Sequence, residues 1–89
     1  MAEREAIPGE SEPADADAAE AKRWISVYEE LIRFEGGLLS VTRERMEKLS
    51  EVARREAQAS NIAALEDDCN RYKSRLEIWR RRLTELETR

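Results

Sequence analysis

Three groups of side chains have the type and spacing to do chemistry: the carboxylates Glu29-Glu30 and Glu66-Asp67-Asp68, the thiol of Cys69, and the run Arg80-Arg81-Arg82. Neighbouring carboxylates can share a proton or hold a divalent cation, a thiol can attack or ligate, and clustered arginines can hold phosphates. Each group lacks its complement. The chain has no histidine, which closes a di-iron bundle centre built on Glu-x-x-His pairs and any Cys/His zinc site. It has no glycine-rich phosphate loop, nucleophile elbow or Ser/His/Asp set. The expectation is a protein that is not an enzyme, with no cofactor, no metal and no small-molecule substrate, whose acidic clusters are solvated helix faces. Cys69 is alone, so it cannot form an intramolecular disulfide. It reads as a small buried hydrophobe, the alternative being a redox thiol or an inter-chain disulfide.

These residues sit on helices. From Ala18 to Arg89 there is no proline, and the only glycines are Gly36 and Gly37, while Ala, Leu, Glu, Arg and Lys dominate. Ile25, Ile32, Leu39, Met46 and Ala53 repeat at seven. Beside them run Trp24, Leu31, Leu38 and Val52, with Arg45 in the gap. A second, uninterrupted heptad follows at spacings of 3 and 4: Ile62, Leu65, Cys69, Tyr72, Leu76, Trp79, Leu83 and Leu86. The two stripes differ in phase, which predicts a reversal near Gln58-Ala59-Ser60-Asn61, with Ser60 or Asn61 as cap. The expected fold is all-α: an antiparallel two-helix coiled-coil hairpin, a long helix over ~17–59 and a shorter one over ~61–88. Dimerisation would complete it as a four-helix bundle. A three-helix bundle broken at Gly36-Gly37 is the alternative, disfavoured because the seven-residue line crosses the glycines in register.

A reversal at 59–60 would set Leu83 opposite Gly36 or Gly37, giving the glycines a packing role. It would also leave the first part of helix one without cover. The uncovered face holds Trp24, Ile25, Val27, Tyr28, Leu31, Ile32, Phe34, Leu38 and Val41, too broad for one narrow heptad helix to bury. These nine are the expected partner interface, and Ile62 to Leu86 the expected hairpin seam. Leu, Ile, Val and Phe make up only 17 of 89 residues, and a core so thin points the same way, to completion by a partner. The partner is a second copy or a heterologous helical protein.

The ends carry opposite charge. Residues 1–20 hold seven carboxylates against Arg4, and residues 71–89 hold seven cations against three carboxylates. Residues 1–16, with Pro8, Gly9 and Pro13 and little apolar side chain, read as a disordered acidic tail preceding a hairpin domain over 17–89. Asp17 with Glu20 three residues on reads as the N-cap of helix one. Helix-dipole preference accounts for the charge distribution, the alternative being a tail that screens Arg80, Arg81 and Arg82. Those three and Arg75 form a possible basic patch and support a second reading, a nucleic-acid-associated accessory protein. The acidic total (net −4) and the lack of a docking motif weigh against it. No apolar run is long enough for a membrane span, and no charged-then-apolar leader is seen, so the expected setting is the cytoplasm. The function expected is that of a protein–protein interaction or assembly module.

Overall fold

The computed structural model describes residues 5–89. Helix α1 spans Ala18–Met46, α2 spans Glu51–Ala57, and α3 spans Ala63–Glu87. Gln58–Ile62 is a π-helical turn whose flanking residues keep helical dihedrals, so 51–87 is one continuous rod. At about 1.5 Å per residue that rod accounts for the 56 Å long axis of the molecule. The described residues contain no strand. The protein is therefore an all-helical hairpin of two helices joined by a turn.

The reversal lies at 47–50, about ten residues earlier than the stripe phases predict, and the second helix is the longer one. Helix α1 ends by tightening, with the Lys48 and Leu49 amides donating to the Arg45 and Met46 carbonyls at 3.2 and 3.0 Å. Ser50 then caps α2, its hydroxyl oxygen accepting from the Ala53 amide at 3.3 Å. Gln58 to Asn61, expected to form the turn, instead form the π turn. The two stripes lie on different helices, Ile25 to Met46 on α1 and Ile62 to Leu86 on the second rod, so their difference in phase reflects a real reversal that sits at 47–50. Ala53, seven residues beyond Met46, belongs to the other helix and is exposed, so the stripe of α1 ends at Met46.

Moving the turn moves the overhang. Leu39, Ile62 and Cys69 form one buried cluster, with Met46 and Leu65 packed against it. Arg43 pairs with Glu66. Thus α1 ends beside Ile62, and residues 51–61 project about 16 Å beyond it. The projecting part is helix two, where α2 holds no buried residue.

Helix α1 passes through Gly36 and Gly37 unbroken, so neither the three-helix alternative nor a glycine turn occurs. Among the described residues, no heavy atom apart from the helix's own neighbouring backbone lies within 4 Å of where a Cβ would stand at either position. Leu83 packs instead in the aromatic cluster at the far end. The packing of Leu83 against the glycines expected from the sequence does not occur.

The acidic segment departs from the disordered tail expected for 1–16. Residues 1–4 lie outside the described residues, but 5–16 fold back onto the hairpin. Pro8 and Gly9 form a turn in which the Glu10 amide donates to the Ile7 carbonyl at 3.1 Å. Gly9 sits at φ +87°, the left-handed region that this turn demands at its third residue. Pro13–Asp15 make a single 3₁₀ turn. Asp17 then caps α1, its carboxylate accepting from the Glu20 amide at 2.9 Å, as the spacing predicts.

Candidate interaction surface and the Glu10 anchor

The inner faces of α1 and α3 meet through aromatic pairs. Trp24 and Trp79 stack at 6.3 Å with 22° between their planes. One to two turns along, Tyr28 and Tyr72 are 6.0 Å apart and tilted by 49°. Ala16, Ala21 and Leu76 complete this cluster. Along the heptad of helix two, Ile62, Cys69, Tyr72, Leu76 and Trp79 are buried, and Leu65, Leu83 and Leu86 are half-buried. The seam is brought together on one face.

The expected partner interface divides in two. Trp24 and Tyr28 are buried within the chain, because the earlier turn lets α3 reach back over them. Ile25, Val27, Leu31 and Ile32 are half-buried against the same aromatic cluster. Only the carboxyl-terminal third stands open: Phe34 is 66% exposed, Leu38 42% and Val41 45%. They are spaced by four and three, and so form one stripe on the flank of α1. Leu49 and Val52 add exposed apolar surface at the turn and on the projecting helix. A shallow hollow of about 550 Å³ lies there, lined by Met46, Glu51, Arg54, Arg55, Gln58 and Ala59.

Glu10 was missed entirely by sequence reasoning, which assigned it to solvent. Its side chain is fully buried, and that of Arg75 is 6% exposed. Arg75 donates to Oε2 through Nε at 3.1 Å and through Nη2. The Trp79 indole Nε1 adds a third donor to the same oxygen at 2.6 Å. Oε1 accepts from the Tyr28 hydroxyl and, at 3.2 Å, from the Ile7 amide. Five donors converge on one carboxylate. Burial alone would raise its pKa, but the hydrogen bonds from Tyr28, Arg75 and Trp79 and the guanidinium charge outweigh that and lower it. Burial and the facing Glu10 push the Tyr28 phenol up to about 12. The only sequence signal was the Pro8-Gly9 turn just before an acid, which does not by itself specify a buried partner 65 residues away.

The possible basic patch is not one surface. Arg75 is committed to Glu10. Arg82 donates to the Ala16 carbonyl at 2.9 and 3.2 Å. Arg80 pairs with Glu29 at 3.1 Å, and Arg81 is exposed. Cys69 is buried between α1 and α3, and burial, followed by the nearby Glu35 charge, pushes its thiol up and away from the reactive thiolate. Among the described residues there is no group of three or more Cys, Asp or Glu side chains placed to hold a metal ion, and no helix is long and apolar enough to cross a membrane.

No family model, curated protein or solved structure matches this chain.

Proposed function

We propose that the protein is a non-catalytic interaction or assembly module that binds a helical surface, a second copy or a partner helix, through the exposed flank of α1. One observation carries this reading: Phe34, Leu38 and Val41 line one face and stay open although the inner face of α1 already has α3 to pack against. Three large apolar side chains in a row cost solubility unless something covers them. The projecting α2 extends the accessible helical surface at the same half of the molecule. The single buried thiol fits a reducing, cytoplasmic setting. Nucleic-acid binding gains no support from the arginines, since Arg75, Arg80 and Arg82 have partners inside the chain.

A photo-crosslinking side chain placed at Leu38 in the cell tests the reading, with exposed Glu77 as the control position. Discrete adducts from 38 and none from 77 are expected. An absence of adducts from 38 refutes it.

A further inference from the structure

We propose that the cleft between α1 and α3, at the end of the hairpin away from the turn, is a receptor for an acid-bearing peptide. Residues 5–16 fill it as a displaceable internal ligand. The cleft is separate from the flank of α1. Four of the five donors that hold the Glu10 carboxylate belong to the hairpin itself: Arg75 Nε and Nη2, Trp79 Nε1 and the Tyr28 hydroxyl. Only the Ile7 amide comes from the segment. The walls are also paired without it, since Trp24 stacks on Trp79 and Tyr28 lies against Tyr72. A receptor for one carboxylate is thus assembled from α1 and α3 alone.

The segment is held at a few points, as a ligand is. Among the described residues its backbone-to-backbone hydrogen bonds stay within it, from Glu10 to Ile7, Asp15 to Glu12 and Ala16 to Pro13. Its ties to the helices are the Glu10 carboxylate, the Ser11 hydroxyl on Glu20, the Ala16 carbonyl on Arg82, and Ile7 against the aromatic cluster. The recognised unit also carries its own shape. The Glu10 amide donates to the Ile7 carbonyl at 3.1 Å, and the Ile7 amide to Glu10 Oε1 at 3.2 Å. An occupant without a carboxylate would leave Arg75 desolvated and unpaired, so the cleft selects for acid. The ligand class is therefore a peptide with an aliphatic side chain three residues ahead of a glutamate. The tether gives the resident segment an effective concentration on the order of millimolar, which a free competitor must overcome.

The test is binding of a fluorescently labelled peptide of residues 5–16 to the full chain, read by anisotropy, with far-UV circular dichroism as the check on folding. The parent, its cleft already filled, is expected to bind weakly. The Glu10→Ala chain, whose tethered ligand has lost its anchor, is expected to bind at least about tenfold more tightly. The bound peptide is expected to restore the parent's tryptophan emission. A peptide bearing Glu10→Gln is expected to lose that gain, and so is the chain that combines Glu10→Ala with Arg75→Met. A Glu10→Ala chain that binds the peptide no better than the parent overturns the displaceable ligand. A Glu10→Gln peptide that binds as tightly as the unaltered one overturns the carboxylate receptor.

Discussion

Replacing Glu10 by alanine is expected to be among the most damaging single changes available on the amino-terminal segment. The substitution removes a fully buried carboxylate and leaves the Arg75 guanidinium, with its side chain 6% exposed, without its counter-charge. Breaking one partner of a buried pair costs about 3–5 kcal/mol, because the remaining ion keeps its desolvation penalty. Here the Trp79 and Tyr28 donors lose their acceptor as well. The loss is capped by the free energy that docks residues 5–16, since undocking gives Arg75 back to water. A loss of about 3 kcal/mol is a large share of the stability of a chain this size and lowers Tm by at least about 10 °C. Urea denaturation followed by circular dichroism at pH 7 measures it, and tryptophan emission reports the stacked Trp24–Trp79 pair beside the anchor. Pairing the change with Arg75→Met is expected to recover part of the loss, because the unpaired ion is then gone. A Glu10→Ala protein within about 0.5 kcal/mol of the parent, with unshifted emission, would refute the buried anchor.

The same cluster sets the pH dependence. Glu10 has its folded pKa lowered, so its contribution is present above its ordinary value near 4.5 and fades as pH falls below it. Tyr28 has its folded pKa raised to about 12 from 10. Its contribution is present below pH 10 and is lost as pH rises from there through 12. Cys69, its thiol pushed up by burial from an ordinary value near 9, loses its contribution on the same alkaline side. The urea midpoint is therefore expected to plateau between about 4.5 and 9, and its alkaline fall to shrink, not vanish, in Tyr28→Phe. In contrast, Arg80→Ala is expected to change stability by less than about 0.5 kcal/mol in the same assay, since its pair with Glu29 is solvent-exposed.

Sequence periodicity sufficed for the helical class, the heptad from Ile62 to Leu86 and the Asp17 cap. Each is a local or single-helix property: propensity, a 3-4 repeat, a carboxylate three residues from an amide. The turn was harder to see because 47–50 contains no glycine or proline. Its one marker, Ser50, is half of a capping box whose glutamate position holds Ala53. With the turn misplaced, the register slipped by about three helical turns, and Trp24 and Tyr28 were assigned to a partner instead of to Trp79 and Tyr72.

What the amino-acid sequence alone determined, then, is that this protein is helical, that it has no histidine and a single cysteine, and that its first helix carries a broad apolar face. Only the tertiary structure decided which part of that face stays open and what the acidic segment does. Pairing between distant residues depends on the register of the hairpin, and a shift of three turns exchanges the covered residues for the open ones. A carboxylate such as Glu10 looks the same in sequence whether it is solvated or buried, since its state is set by Arg75, Tyr28 and Trp79 arriving from two other elements. The periodicity marks a broad apolar face on α1, and the packed molecule leaves Phe34, Leu38 and Val41 of that face exposed.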